Sequence, residues 1–518
     1  MEYALAVPEI LDEILQRATP STQAAAAQTC QYWSDCSLRW LWRHMDSFYP
    51  LFEVLSSLIC IDNIWIFTSD PLASDWNRFG RYVARIYSMK FTPRLSYKGQ
   101  AGSVASLQVL NQFTRQCLAP NSIFSNLTEV IWRATTTMEL FPILLFLVPT
   151  VKSLRLTCGR VMNRECIDVL EVLGPRKIYL TELELTVQHH NQAFLDLLPA
   201  ILADQMQLTK VRLPPYSATP AIVAVLGQLP SLKHYALNIS PEFLVPRELG
   251  MEFDWHDGAF PELDTLAVYT SLANASTFMA KPRQPRLRHF ELVNRNPFTY
   301  AELATFGSIL SASQPCLTVI DLDVYSNAAM CSTDPLSFDL FRPLLQCTAL
   351  VKLYVGSPLA ITYSDEDIAT MASSWPDLQV LRLCSSPAMD IGLTIGQPLR
   401  SVGTFTRSFS RLAQLNIYIN SLDVGLTSNT RSVIHHHRLT EINFGTSPCP
   451  AGSAEAASLY LADMITIGGV TKARRSLDHA RFLNLNRRGL KERRRRAAFW
   501  SDISERVEMI HAGDNHFM

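Results

Sequence analysis

The sequence predicts an α/β fold in which a short strand and a helix alternate many times along the chain. Three observations support this prediction: a six-residue apolar frame recurs twelve times, its copies start 24 to 34 residues apart, and helix-forming segments lie between the copies. A chain of 518 residues also exceeds a single ordinary core. We therefore expect an elongated array of stacked repeats, preceded by a small helical segment.

The first forty residues predict three short helices. Apolar residues recur there at helical spacing, at positions 7, 10, 11, 14 and 15. Pro8 stands in the first turn, where a missing N–H is tolerated. A second helix follows the break at Pro20 and carries the alanines of residues 24–27, and a third element holds Leu41 and Trp42. So few residues make too small a core to bury all this apolar surface, so we expect another surface to cover part of it.

The repeated frame reads apolar-x-x-apolar-x-apolar, and its last four positions alternate between two faces as a short strand requires. The twelve copies are Leu127/Val130/Trp132, Val151/Leu154/Leu156, Leu180/Leu183/Leu185, Leu208/Val211/Leu213, Leu232/Tyr235/Leu237, Leu263/Leu266/Val268, Leu287/Phe290/Leu292, Leu317/Ile320/Leu322, Leu350/Leu353/Val355, Leu378/Leu381/Leu383, Leu412/Leu415/Ile417 and Leu439/Ile442/Phe444. Ile86/Met89/Phe91 is a candidate thirteenth copy. We expect these segments to lie side by side as neighbouring strands.

Helix-forming segments separate the frames. They lie at residues 138–148, 165–173, 193–203, 221–228, 301–311, 338–346 and 365–374. Ser364 and the acidic residues that follow it cap the last of these segments at its positive end. One strand-turn-helix unit cannot bury its own leucines, whereas stacked units share a continuous core. This arrangement predicts a curved stack with parallel strands on its concave side and helices outside.

Two stretches of the sequence resemble known families. The repeated frame is similar to the leucine-rich repeat, which implies a horseshoe-shaped solenoid. The N-terminal pattern resembles the F-box of fungal-type receptors that combine both modules, and its matching residues are Val7-Pro8-x-Ile10-x-x-x-Ile14, Cys30-x-x-Trp33 and Leu38-x-x-Leu41-Trp42. Residues 24–27 depart from that family, in which bulky aliphatic residues are more common than alanines.

The resemblance implies four segments and a function. The segments are an F-box-like helical domain at 1–48, a linker with an irregular first repeat at 49–120, a leucine-rich repeat solenoid at 121–450, and a helical cap with a basic tail at 451–518. The implied function is that of a non-catalytic substrate receptor in a Skp-cullin-F-box ubiquitin ligase, monomeric within its complex. The residues implied to contact the Skp-type adaptor are Val7, Pro8, Ile10, Leu11, Ile14, Leu15, Trp33, Leu41 and Trp42.

The concave strand face is expected to bind the substrate, an unnamed protein, because solenoids present their exposed strand residues to their ligands. The position between the last two apolar residues of the frame carries no single repeated chemistry. The candidate substrate-binding residues at this position are Arg155, Arg212, Glu291, Asp321, Tyr354, Arg382, Asn416 and Asn443. The later four are favoured because Tyr and Arg most often anchor interfaces. A merely solvated face is the alternative interpretation.

Composition narrows the classes of partner. A formal net charge of −1 gives no overall attraction to nucleic acid or to an acidic surface. The first residues carry neither a basic stretch nor a long apolar run, so we expect no secretory leader, and the longest apolar run, at 141–148, is too short to span a bilayer. Eleven cysteines without CxxC pairs are typical of reduced thiols. We therefore expect a soluble protein of the cytoplasm, the nucleus or both, with no membrane partner.

Catalytic and cofactor motifs are not apparent in the sequence. His435, His436 and His437 are adjacent, but no Cys or carboxylate lies at ligand spacing, and no phosphate-binding glycine motif or nucleophile elbow is present. We expect no cofactor, no metal and no enzymatic activity.

A basic tail follows the repeats. Residues 472–496 contain eleven Lys or Arg against two acids and end in Arg493, Arg494, Arg495 and Arg496. Such a cluster is typical of nuclear import or of an electrostatic patch for nucleic acid, and equally of a solvated helix. Two alternative functions therefore stay open: a leucine-rich repeat scaffold or inhibitor that meets no ligase, and a nucleic-acid-associated repeat protein that uses this tail.

Overall fold

The structure is a computed structural model whose described residues fall into two compact units. The described residues are 7–47, 49–61, 64–69, 71–92, 124–159, 163–188, 190–238, 258–281, 285–324, 335–357, 359–384, 397–421, 439–445, 447, 454–462 and 487–512. The first unit comprises Met1–Ser217 and Gln228–Leu232, and the second comprises Ala218–Gly227 and Lys233–Met518. The division falls inside the predicted array of repeats.

The first unit combines the N-terminal helices with a parallel sheet. Its described helices and strands are α1 (Pro8–Arg17), α2 (Pro20–Ala26), α3 (Gln31–Leu41), β1 (His44–Met45), α4 (Tyr49–Phe52), β2 (Leu58–Ile61), β3 (Ile64–Phe67), α5 (Ala73–Val83), β4 (Ser88–Phe91), β5 (Glu129–Ala134), α6 (Thr137–Leu140), a 3-10 helix (Phe141–Leu145), β6 (Ser153–Cys158), α7 (Asn163–Glu171), β7 (Glu182–Val187), α8 (Gln192–Ala203), β8 (Lys210–Leu213) and a 3-10 turn (Pro215–Ser217). Six strands lie in the order β1-β4-β5-β6-β7-β8. Strands β2 and β3 form a separate antiparallel hairpin.

The second unit continues the alternation of strand and helix. Its described elements are α9 (Pro220–Gly227), β9 (His234–Leu237), β10 (Thr265–Tyr269), α10 (Leu272–Met279), β11 (His289–Asn294), α11 (Tyr300–Ser313), β12 (Val319–Val324), β13 (Leu336–Ser337), a 3-10 helix (Phe338–Gln346), β14 (Lys352–Gly356), β15 (Ile361–Thr362), α12 (Asp365–Ser374), β16 (Val380–Leu383), β17 (Gln397–Pro398), α13 (Ser401–Ser408), β18 (Gln414–Ile417), β19 (Ile419–Ser421), β20 (Glu441–Asn443), α14 (Ala454–Ala462) and α15 (Arg487–Ala512). Eight of these strands lie in the parallel order β9-β10-β11-β12-β14-β16-β18-β20. The predicted α/β fold with a long parallel sheet is confirmed.

The apolar frame sets the strand register in both units. The middle apolar residue of all twelve frames lies on a strand, as does Met89 of the thirteenth candidate on β4, while the first apolar residue of each frame lies just before its strand. In the first unit the middle frame residues pair directly, as Val130 with Leu154 and Leu154 with Leu183. In the second unit the same position pairs Phe290 with Ile320 and onward to Ile442. These side chains are fully buried, so the leucine period itself fixes which strand residues point away from the core.

A buried glutamine joins neighbouring repeats in each unit. The Gln205 side chain accepts a hydrogen bond from the Leu180 N–H (2.8 Å) and donates one to the Ile178 carbonyl (3.1 Å). Gln314 bonds the Leu287 N–H (3.0 Å) and the Pro285 carbonyl (2.9 Å) in the same way. Each amide thus satisfies two backbone groups in the turn before a strand, which would otherwise be buried without partners.

Helix positions agree with the sequence except where glycine, proline or small residues obscure the pattern. Residues 338–346 form a 3-10 helix because Pro343 lies inside the segment and removes a backbone donor. Helices α10 and α13, which are rich in Ser, Thr and Ala, had no apolar period strong enough to predict them. Within the described part of the chain, no helix combines the length and apolar character needed to cross a membrane.

Candidate partner-binding surfaces

Helices α1 to α3 form a helical knob with a small core of its own. Leu11 and Leu15, which are 1% and 2% exposed, pack with Ala26 and Cys36, and the half-buried Trp33 and Trp40 close the cluster. The Gln23 side chain donates to the Leu15 carbonyl at 2.7 Å and so ties α2 to the end of α1. The knob therefore holds its helices together through its own contacts.

An apolar stripe remains on the outside of this knob. Val7, Ile10 and Ile14 follow one face of α1 at intervals of three and four residues, and they are 39%, 43% and 47% exposed. Tyr32 of α3 is also exposed, at 40%. We call Val7, Ile10 and Ile14 of α1 the apolar stripe. Large apolar side chains grouped in this way mark a surface that another molecule covers.

The structure divides the nine predicted adaptor contacts into two groups. Val7, Pro8, Ile10 and Ile14 are exposed and Leu41 is half-buried, whereas Leu11 and Leu15 lie inside the knob and Trp33 packs against them. The Trp42 ring packs on the Tyr82 ring of α5, 4.6 Å between centroids. Leu11 and Leu15 are therefore core residues of the knob, contrary to the prediction that they contact a partner, whereas for the half-buried Trp33 and Trp42 partner contact stays a prediction. Apolar spacing marks a helix with two apolar flanks, and only packing decides which flank turns inward.

The knob is joined to the first strands without a flexible connection. β1 follows α3 directly and pairs with β4. The Arg43 carbonyl accepts hydrogen bonds from the N–H groups of Tyr87 and Ser88, both at 3.0 Å. The Arg43 guanidinium lies over the Tyr87 ring at 4.3 Å and the Trp40 ring at 4.9 Å. The knob is thus built into one edge of the first unit's sheet.

The exposed strand face of the first unit carries a self-paired charge ladder. Arg155 of β6 lies 3.8 Å from Glu129 of β5, and 4.0 Å from each of Glu182 and Glu184 of β7. Arg212 of β8 lies 3.7 Å from Glu184. We call these five residues the charge ladder. Because each predicted substrate-binding arginine here has a carboxylate beside it, a partner would have to compete with existing ion pairs.

The strand face of the second unit arranges its polar residues differently. The six predicted residues occupy one register row across neighbouring strands: Glu291, Asp321, Tyr354, Arg382, Asn416 and Asn443. The Arg382 guanidinium lies over the Tyr354 ring, 4.7 Å from its centroid. In the amide orientation that satisfies both of its polar atoms, Asn416 accepts a hydrogen bond from Arg382 Nε at 3.0 Å and donates to the Leu415 carbonyl at 3.1 Å.

Asp321 is an acid of this row whose pKa is strongly shifted. Burial raises the pKa of Asp321 to about 7, the negative charges of Glu291 and Asp323 add to the rise, and Arg382 opposes it. Burial also raises the pKa of Tyr354. At neutral pH the Asp321 carboxyl group therefore carries only part of a full negative charge.

The end of the predicted basic tail belongs to helix α15, which packs on the last repeat. Trp500, Ile503 and Val507 of α15 are buried along one face, and the Trp500 ring stacks at 4.6 Å on Phe444, next to β20. Arg495 is exposed, whereas Arg496 is buried, because successive helical residues turn by 100°. Because Arg496 is buried, the four arginines of the predicted patch do not all share one exposed surface. The side chains of Arg493 and Arg494 lie outside the described residues.

Sites for metal or catalytic chemistry do not emerge from the described side chains. No group of three His, Cys, Asp or Glu among them has metal-binding proximity. His190 contacts the Tyr216 ring at 5.6 Å, and His189 and residues 435–437 lie outside the described residues. The described cysteines are free thiols, and burial raises the pKa of Cys347 to about 12, which keeps that thiol protonated and unreactive.

Sequence reasoning missed the acidic members of the charge ladder, Glu129, Glu182 and Glu184. These residues could have been predicted by comparing equivalent positions of consecutive frames, because such positions become neighbours about 4.8 Å apart on adjacent strands. Aligning the frames side by side shows the alternation of Glu and Arg. The Tyr354, Arg382 and Asn416 contacts follow from the same alignment.

In comparisons with known proteins, no protein-family model matches this chain, and no curated protein matches it.

Proposed function

We propose that this protein is a substrate receptor of a Skp-cullin-F-box ubiquitin ligase, in which the helical knob serves as the F-box and the strand-helix repeats form a leucine-rich repeat solenoid. The observation that carries the proposal is the apolar stripe. Its three side chains are exposed although the knob already has a closed core beneath them.

The energetics of the stripe favour a partner. Complete burial of a large apolar side chain contributes about 1.5 to 3 kcal/mol. Val7, Ile10 and Ile14 are already more than half buried, so covering their remaining surface would contribute about 2 to 4 kcal/mol, part of the about 8 kcal/mol that a micromolar complex requires. The spacing on α1 suits a partner that packs against one helix face, because residues three and four apart form a continuous ridge.

The receptor itself would perform no chemistry. It would hold a target protein on its strand face close to the ubiquitin-charged enzyme, so that proximity supplies the rate enhancement. The junction at Arg43 supports this role, since it fixes the knob to the first unit's sheet through backbone hydrogen bonds and stacking. A mobile junction would position the target poorly.

Co-purification with a purified Skp-type adaptor tests the proposal. The full chain is expected to capture the adaptor, and Ile10→Asp combined with Ile14→Asp is expected to weaken capture at least tenfold, because two charges would have to be buried in the interface. Both residues are exposed, so the knob core should survive, which circular dichroism and thermal unfolding would verify.

A matched control separates docking from general surface apolarity. Met206 is 53% exposed and lies outside the knob, so Met206→Asp should leave adaptor capture unchanged. Failure of the wild-type chain to capture the adaptor would contradict the proposal and favour a scaffold without a ligase. Equal loss in the Met206 variant would show that the interaction is nonspecific.

A further inference from the structure

We infer that Tyr354, Arg382 and Asn416 form a binding site for a carboxylate carried by an acidic segment of a partner protein. We call these three residues the arginine site. The inference deepens the proposed function, on which it rests only in taking the strand face as the substrate-binding side.

The arginine is held in place before any ligand arrives. Its guanidinium lies over the Tyr354 ring at 4.7 Å, and its Nε donates to Asn416 at 3.0 Å. Asn416 is itself only 5% exposed and is anchored on the Leu415 carbonyl. A flexible arginine loses side-chain entropy when it binds, and this one has already been ordered by its neighbours, so less is lost on binding.

The fixed orientation leaves the rest of the guanidinium available. Nε is used by Asn416, and the ring of Tyr354 covers one face, whereas the Nη groups make no hydrogen bond to a residue of the described chain. A carboxylate matches such a planar donor group through charge-assisted hydrogen bonds. The half-buried position strengthens these bonds relative to those at a fully solvated arginine.

Charge complementarity identifies the ligand as an anion. Among the described residues, no carboxylate lies within 4.0 Å of Arg382, whereas Arg155 and Arg212 on the first unit's strand face each have at least one. Arg382 is therefore an arginine at the equivalent frame position that makes no ion pair with a described residue, and the Asp321 carboxyl group attracts it only at longer range. Asp321, two strands away, lies too far for an ion pair and is only partly ionised at neutral pH.

The acidic neighbours favour a carboxylate over a phosphate. Glu291 and Asp321 continue the same row toward β11, about 10 to 15 Å from Arg382 at the usual strand spacing. A phosphate group carries nearly two negative charges at neutral pH and would be repelled more strongly by these acids than a single carboxylate. One guanidinium, moreover, neutralises one charge.

Selection from a phage-displayed library of random dodecapeptides on the immobilised full chain tests the inference. Wild type, Arg382→Gln and Arg411→Gln are used in parallel, the last as a control at an exposed arginine that is already paired with Asp377 and lies outside the candidate substrate-binding residues. Peptides enriched on wild type and on Arg411→Gln should share an Asp or Glu, and Arg382→Gln should lose that enrichment. Absence of an acidic preference on wild type, or its persistence in Arg382→Gln, would overturn the inference.

Synthetic peptides from the selection then identify the anion and the role of the ring. Replacing the shared acid by its amide should weaken binding at least tenfold in fluorescence anisotropy, and Tyr354→Leu should weaken it several-fold while Tyr354→Phe stays within twofold. A phosphoserine in place of the acid should bind more weakly than the carboxylate. Tighter phosphopeptide binding would overturn the carboxylate assignment. Because no adaptor is present, the outcome is independent of the test of ligase association.

Discussion

The two units share one backbone arrangement but differ in how the polar side chains on their strand faces are paired. Both use the leucine frame, in-register parallel strands and a buried glutamine before a strand. On the first unit the polar residues pair with one another as the charge ladder, whereas on the second the arginine site is braced by a ring and an amide and lacks a carboxylate. The difference teaches that a repeat scaffold leaves surface chemistry free to vary without changing the core.

The largest expected effect tests whether the two backbones are equivalent. Gln205→Leu and Gln314→Leu each leave a buried N–H and a carbonyl without a partner, so we expect each to lower the free energy of unfolding by about 2 to 4 kcal/mol. Urea unfolding followed by circular dichroism measures this loss. Gln192→Leu, at an exposed glutamine, is the control and should change stability by less than about 0.5 kcal/mol. Markedly unequal losses at the two buried sites would break the equivalence.

The next effect concerns the uncompensated acid of the second unit. The pKa of Asp321 rises from 3.8 to about 7 in the folded chain, so the folded state holds its proton more tightly than the unfolded chain. Stability from this group therefore falls as pH rises from about 4 to about 7, and the full penalty is present above pH 7.

Asp321→Asn should consequently stabilise the protein at pH 8, by about 2 kcal/mol, and the gain should vanish near pH 4. Unfolding midpoints measured across this pH range check the prediction. A gain that is the same at pH 4 and pH 8 would contradict the electrostatic origin. Glu184→Gln on the first unit should instead destabilise slightly, because it removes a partner of two arginines.

The smallest effect separates the two arginines in the absence of ligand. Arg155→Gln leaves three carboxylates facing one another, so we expect a loss of about 0.5 to 1 kcal/mol at low salt that shrinks in 0.5 M NaCl as the charges are screened. Arg382→Gln removes a ring contact and should cost a similar or smaller amount with little dependence on salt. Equal salt dependence for the two variants would contradict the difference between the units, because it would indicate that both arginines interact equally with neighbouring carboxylates.

The fold was largely predictable because burial and spacing are local properties of the sequence. The frame that contains Leu154 and Leu156 identifies its strand and register wherever it occurs. The two-residue strand β1 could not be found in this way, since so short a segment has no period. Helix α13 was missed because Gly403 and its Ser and Thr neighbours hide its apolar residues.

The candidate surfaces were only partly predictable because they depend on neighbours distant in sequence. Ile14 and Leu15 are adjacent and equally apolar, yet one is 47% exposed and the other 2%, a distinction made by Ala26 and Cys36 on other helices. The row from Glu291 to Asn443 was predicted as exposed strand residues, but Asn416 and Asn443 are buried, at 5% and 8% exposed. The contact between the Arg382 guanidinium and the Tyr354 ring, which joins two members of this row, was not predicted from the sequence alone.

The junction at β1 has a mechanical consequence for anything gripped by the N-terminal helices. Because Arg43 and β1 fix those helices to the edge of the sheet, the helices keep a constant orientation relative to the strands of the first unit. These strands follow one another about 4.8 Å apart, so each strand lies at a defined distance from the helices. One extra repeat inserted between β5 and β6 would increase the distance from the N-terminal helices to the later strands by one strand spacing. An insertion of equal length in a flexible linker would change the maximum distance but would define no orientation. Evolution can thus adjust working distance in discrete steps by duplicating a segment of about 28 residues.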